Sequence, residues 1–132
     1  MRRATPALLL VLALTGCGQS DDRTTVRTVT DRFFSAYEAE QGAVACATIA
    51  SETRKQLESQ ESRPCPEAVG SVELSGGAIT DVDVQMTSAK VDLASGESVF
   101  LSQERPGWRI TAIGCRPATT PTDTPFDCEL EG

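Results

Sequence analysis

Apolar residues in the first third of the chain recur at steps of three and four: Val26, Val29, Phe33 and Tyr37, with Phe34 and Ala36 widening the stripe. That spacing sets side chains on one face of a helix. It predicts a helix from about Arg23, with Asp21 or Asp22 capping its start and Gly42 ending it. Ala43 to Ala50 predicts a second, short helix. Ser51 is a good N-cap for a polar helix over Glu52 to Ser59. Ser62-Arg63-Pro64-Cys65-Pro66 then breaks the pattern, and Pro66 suits the first position of a further short helix, Glu67 to about Val72.

After Gly76-Gly77 the period becomes two. Val82, Val84 and Met86 share one face, with Asp81, Asp83 and Gln85 opposite, and Ala89, Val91 and Leu93 repeat the alternation. Ser95-Gly96 marks a turn, Val99 to Leu101 a third strand and Arg105-Pro106-Gly107 another turn. In the fourth strand Trp108, Ile110 and Ala112 alternate with Arg109, Thr111 and Ile113. Helices first and an antiparallel meander after them predict an α+β domain over residues 23–116, with N-terminal helices packed on a curved four-stranded sheet. Residues 117–132 form a Pro-rich C-terminal segment whose prolines predict no regular structure, but a Cys115–Cys128 bridge would fold it back on the last strand.

The start of the chain has a different character. Arg2-Arg3 is followed by eight consecutive apolar residues, Ala7 to Leu14. As a helix that run covers about 12 Å, whereas a bilayer core is roughly 30 Å thick. Basic, apolar and small-residue zones in that order read as a signal peptide over residues 1–16. Leu14-Thr15-Gly16-Cys17 resembles the bacterial lipobox, which implies cleavage before Cys17 and diacylglycerol on its thiol. Two or more acyl chains anchor a protein stably, so a partner of this chain is the membrane itself, at its extracytoplasmic face. The alternative is an ordinary secretory signal that Cys17 merely survives. Arg2-Arg3 is compatible with either the general or the twin-arginine export route. Gly18 to Asp22 then reads as a polar tether, 17–22 counting the lipidated cysteine.

Removing residues 1–16 takes Arg2 and Arg3 away and moves the net charge from −7 to −9. An acidic chain of this kind is not drawn to nucleic acid by charge. The sequence holds no His, the commonest general base and metal ligand. It holds no Asn either, and so no N-glycosylation acceptor. No cofactor is implied.

Of the five cysteines, Cys17 is assigned to lipid, leaving Cys46, Cys65, Cys115 and Cys128. An even number in an exported domain reads as disulfides. Four cysteines allow three pairings; Cys46–Cys65 with Cys115–Cys128 is favoured because each pair brackets one local segment, and each bridge is expected to contribute ~3 kcal/mol. A metal site would show C-x₂-C spacing or His partners, and this sequence has neither.

A long first helix, two short ones and a four-stranded curved meander resemble the cystatin-like, nuclear-transport-factor-2-like cone. A nearer resemblance is to small actinobacterial lipoproteins of unknown function. It rests on the lipobox, the Ala-rich Ala43 to Ala50, Arg54 to Cys65, Gly107 to Ile110, Gly114 to Pro117 and Phe126 to Gly132. Usage also fits, with Arg outnumbering Lys ten to two. The resemblance implies fold and location and brings no activity with it.

Three readings of function follow. The leading one is a non-catalytic domain that binds a small apolar ligand or an envelope protein, with Phe33, Tyr37, Val82, Val84, Val91, Trp108 and Ile110 either closing a core or lining a pocket. The second is a small isomerase or dehydratase on the same fold, with Tyr37 as an oxyanion donor and Asp81 or Asp83 as base. Ser98 and Ser102 have no His to activate them. The third is a structural or regulatory partner of another membrane protein.

Overall fold

The computed structural model describes residues 18–120 and 123–132. Cys17 and the signal segment lie outside the described residues. Among those described, no helix is long and apolar enough to cross a membrane.

Among the described residues four helices precede the sheet: α1 (Gly18–Glu38), α2 (Gly42–Ala47), α3 (Ser51–Glu61) and α4 (Cys65–Ala68), which runs into a 3₁₀ turn at Val69–Ser71. The strands are β1 (Ile79–Gln85), β2 (Ser88–Leu93), β3 (Ser98–Glu104), β4 (Gly107–Pro117), β5 (Phe126–Asp127) and β6 (Leu130–Glu131). They form one antiparallel sheet in the order β1-β2-β3-β4-β5, with β6 also paired to β4. The class is α+β, as the change of period predicts, but among the described residues the sheet has six strands rather than four. The two extra strands come from the Pro-rich segment. Its prolines end at Pro125, and the Cys115–Cys128 disulfide folds Phe126–Asp127 and Leu130–Glu131 back onto β4. Cys46–Cys65 also forms, joining α2 to α4.

The helical layer covers one face of the sheet. Val26, Thr30, Phe33, Phe34 and Ala36 of α1 are buried. They meet Val82, Val84, Ala89, Val91, Leu93, Val99, Leu101, Trp108 and Ile110 from the inward positions of the strands. Burying one side chain of this size contributes about 1.5–3 kcal/mol. Thr30 joins the core because its hydroxyl donates to the Val26 carbonyl one turn back, 2.9 Å away. The segment between α2 and α3 completes the layer. Ala50 N–H donates to the Ile110 carbonyl at 2.8 Å and Ile110 N–H to the Thr48 carbonyl at 2.9 Å, docking this short stretch parallel to β4.

Several boundaries differ from the sequence reading. Gly18 to Asp22, read as a polar tether, is helical and belongs to α1. Thr24 and Thr25 donate back to the Ser20 and Asp21 carbonyls, and Asp22 is pinned by Trp108, whose indole Nε1–H donates to its carboxylate at 3.1 Å. Gly42 does not end α1; Glu40, at φ +55°, breaks the helix and Gly42 opens α2. The second helix stops at Ala47 because Thr48 to Ala50 bond to β4 instead. Ser51 is the first residue of α3 and Ala50, in extended backbone, is its cap. Met86 does not share the inward face of Val82 and Val84. It sits in the two-residue turn from β1 to β2, at φ +55° and 89% exposed.

Trp108 is 2% exposed and joins the start of α1 to β4, so it serves packing. Trp108→Ala should cost ~3–5 kcal/mol in denaturant unfolding followed by circular dichroism. Trp108→Phe keeps most of the buried area but loses the bond to Asp22, a smaller loss of about 1 kcal/mol. An alanine variant as stable as the parent would contradict the packing role.

Candidate functional site

Phe33, Val82, Val84, Val91, Trp108 and Ile110 come together from α1, β1, β2 and β4, as the sequence pattern predicts, and all are buried in one cluster. The question left by the sequence, whether they close a core or line a cavity, is answered by packing: they close a core. Tyr37 stands at the edge of this cluster, half-buried, its ring stacked on Phe33 with centroids 6.1 Å apart. Its hydroxyl donates to the Val72 carbonyl at 2.7 Å.

Asp81 and Asp83 point to the opposite, solvent-facing side of β1, since Val82 and Val84 between them point inward. The Asp83 carboxylate accepts from Gln85 at 3.1 Å. Tyr37 and these carboxylates are therefore on different faces of the sheet. No proton could pass between them within one small site. Ser98 is buried and donates to Asp92 rather than facing a cleft. Ser102 is half-buried on β3, opposite Arg109.

Three hollows lie at the surface of the described residues. The first, about 420 Å³, is at the C-terminal end of α1 and is lined by Tyr37, Glu38, Glu40, Gly42, Pro66 and Glu67 among others. α2 and α4 meet beneath it, held by the Cys46–Cys65 disulfide. A Cβ on Gly42 would collide with the Pro66 carbonyl, so this close approach requires glycine. The last turn of α1 carries no basic residue, so the negative end of its dipole adds to the potential of the three glutamates. Sequence reasoning missed this hollow. Its signal was the pair Glu38 and Glu40 at the end of the apolar stripe, followed at once by Gly42.

A second hollow, about 250 Å³, is lined by Phe100, Thr111, Ala112, Pro125, Phe126 and Cys128. It lies where the C-terminal segment folds over β3 and β4, with the rings of Phe100 and Phe126 edge to face at 5.0 Å. A third lies at the β3–β4 turn, Gln103 to Gly107.

One carboxylate titrates away from its usual value. Asp92 is held below 3.8, first because the Ser98 hydroxyl donates to it at 2.7 Å, with Lys90 adding a bond at 3.0 Å and its charge, against the opposing effect of burial. The folded state ionises Asp92 more readily than the unfolded chain. Its contribution to stability is therefore complete above pH 3.8 and is lost as pH falls through the lower folded value. In Ser98→Ala the Asp92 carboxyl resonance should titrate at higher pH than in the parent. An unshifted NMR titration would show that Ser98 is not the main cause.

Compared with known protein families, with characterised proteins and with solved structures, the chain matches none.

Proposed function

We propose that this chain is an exported lipoprotein, anchored at the outer face of the cell membrane through acylated Cys17, whose domain acts by binding a neighbouring envelope protein. Its fold would be of the cystatin-like, nuclear-transport-factor-2-like kind, as in the small actinobacterial lipoproteins that its motifs resemble. The long α1 laid along an antiparallel meander supports that finer description. The observation that carries the functional reading is the filled interior. Phe33, Val91, Trp108 and Ile110 are at most 2% exposed and packed in one cluster between helices and sheet, so they offer no open surface to an apolar molecule. Binding then falls to the surface, where the hollow at the end of α1 is polar and rimmed by Glu38, Glu40 and Glu67. A cationic side chain on a protein partner complements it.

The non-catalytic reading draws support from the separation of Tyr37 and Asp81 described above. A second reading, a small apolar ligand, is favoured by the apolar lining of the Phe100–Phe126 hollow.

Anchoring predicts that wild type fractionates with membranes and carries acyl mass on Cys17, and that Cys17→Ser is released. If the serine variant stays fully membrane-bound, the lipobox reading fails.

Binding is separable from anchoring by NMR on the labelled domain. An Arg/Lys-rich peptide should shift the amides of Tyr37, Glu38 and Glu67, and a fatty acid at most those near Phe100 and Phe126. Fatty-acid shifts at Phe33, Val91 and Trp108 would mean that the core opens, and would replace the protein-partner reading. Turnover of a hydroxy-carbonyl substrate, abolished by Asp81→Asn or Tyr37→Phe in a folded protein, would overturn the non-catalytic one.

A further inference from the structure

We infer that the domain stands on the bilayer end-on, with the β1–β2 hairpin tip at Met86 pressed into the lipid interface beside the anchor. The inference rests on the anchoring reading and adds to it an orientation and a contact. It follows from a chain of bonds across one end of the sheet. Cys17 is one residue before Gly18, where the described part of α1 begins. Asp22, just over one turn further on, accepts from Trp108 at 3.1 Å. Trp108 pairs with Gln103 across β3 and β4, and Gln103 N–H donates to the Thr87 carbonyl at 2.8 Å. Thr87 adjoins Met86. The start of α1, the β3–β4 turn and the β1–β2 turn thus lie at one level. Strands are ~4.8 Å apart, so Met86 and Trp108 are separated sideways by roughly 10 Å.

The other end of α1 is far from this level. Phe34 packs near Gly76, where a Cβ would stand 3.3 Å from its ring, and Gly77 lies against Ser95 of the β2–β3 turn. With 21 residues, α1 spans ~30 Å, crossing the sheet from one end to the other. An anchor at its start leaves the glutamate-rimmed hollow at the end remote from the membrane.

Met86 is the exposed large apolar side chain of the described residues, at 89%. A single exposed apolar side chain is ordinary on a protein surface; what distinguishes Met86 is its place at a hairpin tip level with the start of α1, where the anchor would hold it against lipid. Interfacial elements sit ~5–10 Å into the boundary between headgroups and acyl chains, a depth that a hairpin tip beside an acylated residue reaches. Arg105 and Pro106, both exposed at the adjoining β3–β4 tip, meet the same surface, and the guanidinium suits a lipid phosphate.

Once Met1 is removed with the signal segment, Met86 is the single methionine of the chain, so its oxidation by peroxide reports on this tip alone. The acylated protein in vesicles of phosphatidylcholine and phosphatidylglycerol should gain its one oxygen several-fold more slowly than Cys17→Ser mixed with the same vesicles. As a second measurement, Met86→Trp should be quenched several-fold more by acyl-chain-brominated lipid than Ala94→Trp at the opposite end, the buried Trp108 being common to both. Acylated protein with equal oxidation rates and equal quenching would overturn the orientation and leave the anchor standing. Absence of acyl mass on Cys17 would overturn both. Protection in native membranes but not in lipid vesicles would assign the tip to a protein and overturn the lipid contact.

Discussion

The crossover from the helical layer to the sheet hangs on one buried carboxylate. Residues 72–78 are neither helix nor strand, so their backbone N–H groups need partners from elsewhere. Glu97, in the turn between β2 and β3 and with its side chain 4% exposed, supplies them for Ser75 and Gly76. It accepts from Ser75 N–H at 3.0 and 3.2 Å and from Gly76 N–H at 3.2 Å. Arg116 on β4 approaches it at 3.5 Å and also reaches the Ser95 carbonyl and the Ser75 hydroxyl. Bonds to a charged acceptor contribute ~1.5–3 kcal/mol each. Removing the partners of a buried charge is strongly destabilising. The clamp adds to the Tyr37 bond to the Val72 carbonyl and the Ala94 N–H bond to the Ala78 carbonyl, which tie the two ends of this segment to α1 and to the β2–β3 turn.

Gly76 makes the clamp sterically feasible. Its φ of +63° points the N–H at Glu97, and a side chain there would crowd Phe34. The same contact fixes the far end of α1, as the Asp22–Trp108 bond fixes its start. Between these ends Phe33 is fully buried against the strands. A helix held at both ends and in the middle is a rigid strut. The Cys46–Cys65 disulfide extends that rigidity to α2 and α4, so the hollow beneath Glu38 and Glu40 is pre-formed and binds without the cost of ordering its walls.

The sequence made the periodic parts of this structure readable, because burial of a single face forces a period on the residues. The α1 stripe and the inward positions of β1 to β4 are of that kind, whereas both disulfides were readable from an even cysteine count and from each pair bracketing one local segment. Met86 was misread because no Gly or Asn marks its turn, and the alternation simply ran one position too far. The strands β5 and β6 were missed because two residues are too few to carry a period, and what pairs them is the Cys115–Cys128 link. Glu97 could not be read as a clamp. A lone glutamate beside a turn looks like a solvated charge, and its partners are backbone groups more than twenty residues away. The candidate pocket residues were correctly grouped, but grouping cannot distinguish a filled core from a lined cavity. That difference depends on side-chain volumes meeting in three dimensions.

The filled core also says where variation can act. In a domain this small, most apolar residues are needed to cover the one buried face, and a cavity among them would cost stability in proportion to its size. Keeping the interior closed and using the margins avoids that cost. The Phe100–Phe126 hollow and the glutamate-rimmed one both sit where a secondary element ends and a disulfide, rather than the apolar core, holds the walls. Covalent links allow such margins to be polar or open without loosening the centre. Recognition and stability are thereby carried by different residues, and substitutions at Glu38, Glu67 or Phe126 can alter what is bound while Phe33, Trp108 and Ile110 keep the fold.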